Sequence, residues 1–191
     1  ASDVYKRQAY NWSKKNKLQT VIEINAKVET NNVLDFVQMC EAKHNRMLVE
    51  LGNNIEQDIE NIRLIAIAGP SSSGKTTFCN RVRIELLSRG INPVMISMDD
   101  YYLEKEKISE IQNKPIDQLD LEHINCLDVD LFNKDLYDLI NGEEVTLPRF
   151  NFQTGKREVG RTIKVDSNSP IMIEGLSLIH ISEPTRPEPI S

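Results

Sequence analysis

Residues 69–77 read GPSSSGKTT, and this loop constrains the fold more than any other part of the sequence. Gly69, Gly74, Lys75 and Thr76 occupy every fixed position of the pattern G-x-x-x-x-G-K-[ST]. Such a loop points backbone N–H groups at phosphate oxygens, and it needs a buried strand before it and a helix after it. The apolar run RLIAIAG precedes the loop and the helical pattern KTTFCNRVRIELLSRG follows it. The sequence therefore predicts a strand–loop–helix unit that binds phosphate.

The rest of the chain alternates predicted strands with predicted helices. NPVMISMDD predicts a second buried strand, and VTLP, RTIKVD and SPIMIEGL predict three more short strands. DVDLFNKDLYDLINGEE predicts a helix, whereas residues 103–120 indicate a loop or an irregular helix. This alternation predicts an α/β fold of the P-loop NTPase type, with three layers and a mostly parallel sheet.

The region before the loop is predicted to be mainly helical. The run QTVIEINAKV alternates apolar and polar residues and could form a short strand. From Val33 to Ile62 the apolar spacing predicts two helices in series, separated by a break at Gly52. We interpret this region as a linker or a packing element.

Composition excludes several classes of partner. The net charge of −6 makes nucleic acid an unfavourable partner, and no apolar run approaches the roughly 20 residues that span a membrane. The three cysteines are far apart in sequence and suit a reducing cytoplasm, with no spacing typical of zinc sites or a disulfide framework: Cys40, Cys79 and Cys126.

The phosphate loop also suggests which nucleotide chemistry is present. Lys75 supplies a charge that can reach the β and γ phosphates, and Thr76 offers a hydroxyl to Mg²⁺. The chain has no Asn-Lys-x-Asp motif for reading guanine, and it lacks the further couplers of a motor or transporter ATPase. Transfer of the phosphate to another molecule is therefore the favoured fate.

Two carboxylates mark the end of the second predicted strand. Asp99 and Asp100 lie where that strand leaves the sheet, and Tyr101 and Tyr102 follow them. Carboxyl ends of strands face the ligand crevice in open α/β sheets, so a carboxylate there could accept the proton of an attacking hydroxyl. The alternative is that two acids and two aromatic residues simply end a strand at the surface.

Five segments, in this order, resemble the phosphoribulokinase/uridine kinase family: GPSSSGKTT, DDYY, LDLEHINCLDVDLF, LPRFNFQTGKRE and IMIEGL. The resemblance covers roughly residues 33–176, and it is strongest to bacterial nucleoside kinase-like proteins with an N-terminal accessory region. It implies a cytoplasmic enzyme that uses ATP and Mg²⁺ to phosphorylate a hydroxyl of a small molecule, with a nucleoside such as uridine as the leading acceptor.

The resemblance implies a role for individual residues. Asp99 matches the general base, and Lys75 and Thr76 match residues that hold ATP and Mg²⁺. Asp99 and Lys75 are therefore the expected catalytic residues. Glu174 matches a carboxylate that helps to organise Mg²⁺. Tyr102, Glu122 and Phe150 fall on the acceptor side. The nucleotide is expected to contact the whole loop: Gly69, Pro70, Ser71, Ser72, Ser73, Gly74, Lys75, Thr76 and Thr77.

The sequence departs from the family pattern on the acceptor side. Phe150 stands where uridine kinases have a tyrosine, and Gly155 lies near the position of a substrate-side histidine. Glu122 could still accept from ribose hydroxyls, whereas His123 is equally suited to a surface or capping position. A basic strip could contact phosphate or an anionic acceptor, or could be solvated charge on a hairpin: Arg149, Arg157 and Arg161.

The two ends do not fit the neighbouring pattern. Residues 1–8 and 177–191 resemble adapter read-through, so we expect 9–61 to be the tail of an accessory region with linker helices and 62–176 to be the N-terminal part of a kinase domain. On this interpretation the enzyme is incomplete here, and the full-length protein could form a homo-oligomer. Two alternatives stay open, namely a catalytically impaired ATP-binding regulatory module and a kinase of a sugar phosphate.

Overall fold

The computed structural model describes residues 2–29, 33–69, 72–121 and 124–175. The chain divides into two compact units, Ala1–Glu50 and Leu51–Ser191. No helix among the described residues is both long enough and apolar enough to cross a membrane. The phosphate loop and every strand among the described residues lie in the second unit.

The first unit is helical. It contains α1 (Ser2–Lys15), α2 (Val21–Glu29) and the larger part of α3 (Val33–Gln57). The ammonium group of Lys43 in α3 lies 3.8 Å from the centre of the Trp12 ring in α1, a cation–π contact within this unit.

The strand predicted in QTVIEINAKV is wrong, because α2 (Val21–Glu29) contains most of this run. A capping box starts the helix. The Glu23 N–H donates to Thr20 Oγ1 (3.2 Å), while Glu23 Oε2 accepts from the backbone N–H groups of Gln19 (2.8 Å) and Thr20 (3.1 Å). These reciprocal bonds satisfy N–H groups at the start of the helix. They favour a helix here, although the alternation of apolar and polar residues is typical of a strand.

The break predicted at Gly52 is also wrong, because α3 runs through it as one 25-residue helix. The Arg89 side chain lies directly over Gly52, where an added Cβ would be 2.6 Å from Nε. The Arg89 guanidinium also donates to Asn53 Oδ1 (2.8 Å) and Glu56 Oε2 (2.6 Å). Gly52 thus leaves room for a side chain that holds the end of α3, instead of ending the helix.

The second unit is an α/β domain, as predicted. Its parallel sheet has three strands in the order β1 (Leu64–Ala68), β5 (Ile171–Gly175), β2 (Val94–Ser97). The central strand is completely buried at Ile171, Met172 and Ile173, as expected for a parallel strand covered on both faces. The loop at residues 69–74 joins β1 to α4 (Lys75–Ser88).

The other helices of this unit cover the core and the connection after β2. α5 (Lys105–Gln112) lies in the region predicted as a loop or irregular helix, and a short 3₁₀ turn, Ile116–Gln118, follows it. α6 (Val129–Ile140) forms in the segment predicted to be helical and buries Leu136 and Leu139. Its partly buried residues Leu131 and Ile140 pack against the same core.

Two of the predicted strands extend into an antiparallel hairpin. β3 (Glu144–Asn151) pairs with β4 (Lys156–Lys164), and this pair forms a sheet separate from the parallel one. The register shifts between Thr146 and Pro148, where proline has no N–H to donate. Val145 and Leu147 of the hairpin join the main core.

Candidate active site

The phosphate loop adopts the left-handed backbone that its glycine permits. Gly74 has φ 83° and is the N-cap of α4, and its carbonyl accepts the first helical bond from the N–H of Phe78 (2.9 Å). Ser72 also has positive φ, at 56°. Lys75 and Thr76 therefore lie in the first turn of α4, where the helix dipole and the N–H groups favour an anion.

Glu174 lies at the centre of the site. It is near the end of β5, in register with Ile67 of β1 on one side and Ser97 of β2 on the other. The Thr76 hydroxyl donates a hydrogen bond to Glu174 Oε1 across this edge. The sheet therefore places Glu174 between the phosphate loop, which follows β1, and the carboxylates that follow β2.

Asp99 lies on a single 3₁₀ turn, Met98–Tyr101, directly after β2. Its backbone N–H donates to Ser97 Oγ (3.2 Å), which caps the turn. Burial raises the pKa of Asp99 above its ordinary value, and the negative charges of Glu174 and Asp100 raise it further, against the opposing effect of Lys75. Lys75, predicted to be catalytic, and Glu174, predicted to bind the metal, are thus both close enough to shift the pKa of Asp99.

Asp100 turns towards the hairpin. Its Oδ1 accepts from the N–H of Phe150 (3.4 Å). Burial raises the pKa of Asp100, while that N–H and the guanidinium groups of Arg149 and Arg161 oppose the rise. The two adjacent carboxylates therefore face different surroundings, one beside the phosphate loop and one beside the hairpin.

The oxygen donors at this edge fit Mg²⁺. Thr76 and Glu174 present a hydroxyl and a carboxylate in contact, and Mg²⁺ prefers one or two carboxylates together with phosphate oxygens and water. Among the described residues there is no cluster of three or more histidine, cysteine or acidic side chains that could hold a metal alone. Burial raises the pKa of the nearby Cys79 thiol to about 11.

The predicted acceptor side contains an aromatic cluster formed by Tyr102, Phe150 and Phe152. Their ring centres lie 5.0–5.8 Å apart. Tyr102 and Phe150 are buried, whereas the side chain of Phe152 is 55% exposed. The Tyr102 hydroxyl donates to the carbonyl of Leu121 (2.8 Å). Phe152 therefore presents the exposed aromatic surface of this cluster. The sequence did not single out Phe152, although it lies two positions after Phe150 in the same segment.

The three arginines of the basic strip have different environments. Arg149 and Arg161 line a cavity of about 620 Å³, together with Asp100 and Glu174. Arg161 also donates to the carbonyl of Met95 in β2. The Arg157 guanidinium is not among the cavity-lining groups, and it donates to Asp128 and to the carbonyls of Tyr101 and Tyr102. The hairpin therefore brings two of the three arginines to the cavity.

Gly155 lies at the turn of the hairpin with φ 70°. Its carbonyl accepts from the N–H of Lys105 (3.3 Å), and the aliphatic part of that lysine packs on it. A Cβ at this position would be 2.7 Å from Lys105 Cδ. The volume that a side chain at position 155 would need is occupied by Lys105.

Asp135 is a buried residue that the sequence analysis did not select. It is 4% exposed and accepts a hydrogen bond from the Tyr101 hydroxyl (3.1 Å). Burial raises the pKa of Asp135. The signal was available, because an acid at position 135 interrupts the inward apolar face that Phe132, Leu136 and Leu139 form on α6.

Four residues named in the sequence analysis lie outside the described residues. They are Pro70, Ser71, Glu122 and His123. Ser73 and Thr77 are described and exposed, at the end of the loop and in the first turn of α4.

Comparisons with known proteins agree with this geometry. The sequence model of the Phosphoribulokinase / Uridine kinase family matches residues 64–183. The chain is 31% identical over 125 residues to the uridine kinase of Borrelia duttonii (strain Ly), which is 65% of this chain and 56% of that protein. It is 31% identical over 126 residues to uridine-cytidine kinase A of Dictyostelium discoideum, which is 66% of this chain and 24% of that protein.

A solved structure agrees as well. The structure of a possible uridine kinase from Bacillus stearothermophilus superposes with a TM-score of 0.53 and 25% identity, over 70% of this chain and 72% of that one. The chain spans about half the length of the Borrelia relative and a quarter of the Dictyostelium one. The family model covers well over half of the chain, and the matched region contains the phosphate loop, Asp99 and Glu174. The chain therefore belongs to the phosphoribulokinase/uridine kinase family.

Proposed function

We propose that this protein transfers the terminal phosphate of ATP to a hydroxyl of a small molecule, with a nucleoside such as uridine as the leading acceptor. One observation carries the proposal: Glu174, Thr76, Lys75 and Asp99 come from three different segments and meet at one edge of the sheet. The uridine kinases among the relatives support a nucleoside as the acceptor.

In the proposed reaction, Asp99 is the general base. Its carboxylate accepts the proton of the acceptor hydroxyl as that oxygen bonds to the γ phosphorus, and the bond from phosphorus to the β–γ bridging oxygen breaks to release ADP. Lys75 and the N–H groups at the start of α4 stabilise the charge on the phosphate oxygens. Thr76 and Glu174 would hold Mg²⁺, which neutralises charge on the phosphates when bound.

The test measures ADP release and ATP binding separately. We expect ADP release to depend on an added acceptor in a nucleoside panel, and isothermal titration calorimetry to detect binding of a non-hydrolysable ATP analogue with Mg²⁺. Analogue binding without acceptor-dependent ADP release would favour the ATP-binding regulatory module. Failure to bind the analogue would contradict both interpretations.

The cavity beside the hairpin supports a second candidate, a kinase of a sugar phosphate. Its volume of about 620 Å³ is within the range typical of small-molecule sites, and Arg149 and Arg161 line it with Asp100. Guanidinium groups bind phosphate well, because their planar donors match its oxygens. The comparison of ribose with ribose 5-phosphate as acceptors separates the candidates. A preference of the wild type for the phosphorylated sugar that is lost in Arg149→Gln would favour the sugar phosphate kinase. Equal use of uridine by the wild type and by Arg149→Gln would exclude it.

A further inference from the structure

The segment that carries Asp99 has little structure of its own. Met98–Tyr101 is a single 3₁₀ turn, and isolated turns of this kind have weaker hydrogen-bond geometry than an α-helix. A general base must be held within a fraction of an ångström of the proton that it accepts. Contacts from outside the turn must therefore fix its position.

Arg157 of β4 provides such contacts. Its Nη2 donates to the carbonyls of Tyr101 (3.2 Å) and Tyr102 (3.1 Å), and its Nε also approaches the carbonyl of Tyr102 (3.3 Å). Its Nη1 donates to Asp128 Oδ2 (3.0 Å). One guanidinium thus binds the end of the catalytic turn and the start of α6.

Asp128 connects the same turn to α6 in two further ways. Its Oδ1 accepts from the N–H of Leu131 (3.2 Å), which caps the helix, and its own N–H donates to the carbonyl of Tyr101 (2.9 Å). The Tyr101 carbonyl therefore accepts from both Asp128 and Arg157. The ion pair is partly shielded, because the side chains of Arg157 and Asp128 are only 24% and 27% exposed.

Tyr101 is also held at its other end. Its hydroxyl donates to the buried Asp135, and its ring packs edge-on against Phe132 with 5.0 Å between ring centres. Both contacts come from α6. With the carbonyl and the hydroxyl both bound, Tyr101 anchors the turn two residues after Asp99.

We propose that Arg157 is a positioning residue, which with Asp128 clamps the Asp99–Tyr102 segment and does not itself bind the acceptor. The proposal rests on the proposed phosphoryl transfer for its kinetic consequence, but the clamp is a structural statement that can be tested separately. Its guanidinium already donates to two carbonyls and a carboxylate, which uses its planar donor set within the protein.

The kinetic test uses Arg157→Gln, Arg157→Lys and Asp128→Asn in the 191-residue chain. Asparagine can keep the cap of α6 but removes the charge that faces Arg157. Because the clamp acts on the base, we expect kcat to fall at least about tenfold in Arg157→Gln, with the acceptor KM within about twofold. Lysine rescues only in part, because one ammonium cannot reproduce the three-nitrogen fork. Lys164→Gln, an exposed charge at the far end of β4, is the matched control and keeps both constants.

The structural test is hydrogen exchange measured by mass spectrometry on the same variants. We expect amides of residues 98–102 to exchange about tenfold faster in Arg157→Gln, less so in Arg157→Lys, and at the wild-type rate in Lys164→Gln. Unchanged exchange in that segment overturns the clamp, as does a rise in acceptor KM with kcat retained, which would assign Arg157 to acceptor binding. If the wild-type chain shows no acceptor-dependent ADP release, the proposed function fails while hydrogen exchange still decides the clamp.

Discussion

At the scale of single residues, the partly buried carboxylate of Asp99 destabilises the folded state at neutral pH but suits the general-base role that we propose for it. It is half-buried beside Glu174 and Asp100, and burial is the main reason that its pKa lies above the ordinary value. Perturbed carboxylates in a cleft are frequent at sites that perform acid–base chemistry. A carboxylate with a raised pKa is a better proton acceptor near neutral pH than a solvated aspartate, which suits the role proposed for Asp99.

The first prediction concerns activity. Asp99→Asn removes the proton acceptor, so we expect kcat to fall by about 10²–10⁴-fold. Affinity for an ATP analogue, measured by titration calorimetry, should change little, because the loop and α4 hold the phosphates. The exposed Asp117→Asn is the charge-matched control and keeps kcat. An Asp99→Asn protein with wild-type turnover would remove Asp99 from the reaction.

The second prediction concerns stability and its pH dependence. A carboxyl whose pKa is raised on folding favours the folded state below its ordinary value of 3.8, and that contribution is lost as pH rises through the folded pKa. Asp99→Asn should therefore have a higher Tm than the wild type at neutral pH, and the difference should shrink as pH falls through the raised pKa of the folded state towards 3.8. Calorimetry between about pH 3 and pH 8 measures it. A lower Tm for Asp99→Asn at neutral pH would show that the carboxylate stabilises the fold.

At the scale of elements, the β3–β4 hairpin contributes most to the acceptor side. It supplies Phe150, the arginines of the cavity and Arg157, and it packs on the Met98–Tyr101 turn. Gly160 lies in β4 where the register of the hairpin shifts. An added Cβ there would lie 2.7 Å from the Leu147 carbonyl oxygen and 2.9 Å from that of Pro148. This close approach of the β3 backbone leaves no room for a side chain.

The third prediction follows from this approach. Gly160→Ala must shift backbone atoms at the irregular point of the hairpin, so we expect a destabilisation of about 1–3 kcal/mol. Urea unfolding measures it. Val159→Ala is the control at the neighbouring position, where the side chain is 85% exposed, and should stay within about 0.5 kcal/mol of the wild type. Equal stability of both variants would show that the hairpin relaxes freely at Gly160.

At the scale of the whole molecule, the second unit includes the end of a helix that starts in the first. The second unit begins at Leu51, which lies inside α3. Arg89, at the end of α4, pairs with Glu85 (2.7 Å) and Glu56 (2.6 Å) and also donates to Asn53. The last turns of α3 are thereby bound to the helix that follows the phosphate loop.

The fourth prediction compares this network with a simple surface ion pair. Arg89→Gln should lower Tm and accelerate hydrogen exchange in residues 51–57, because several partners lose their donor together. Lys134→Gln breaks a single exposed pair with Asp138 and should leave Tm nearly unchanged. Equal effects of the two substitutions would show that Arg89 contributes no more than a surface charge.

Local sequence signals were sufficient to predict features that depend only on residues close together in the chain. The phosphate loop, the strands on either side of α4, and the carboxylates at Asp99 and Glu174 followed from short patterns. The alternation of strands and helices was sufficient to predict the α/β fold. Each of these depends on backbone geometry or apolar spacing within a few residues.

Only the tertiary structure decided the features that depend on partners distant in sequence. Gly52 permits a continuous helix because Arg89, 37 positions later, packs over it. The three arginines look alike in sequence, yet two reach a cavity while Arg157 binds carbonyls 55 and 56 positions away. A sequence shows which groups a side chain carries, but hydrogen bonds and close contacts are made with whatever the fold brings within about 3 Å. For this protein, the sequence by itself determined the family and the position of the loop that is predicted to bind phosphate, and the fold decided which side chains contact the segments beside that loop.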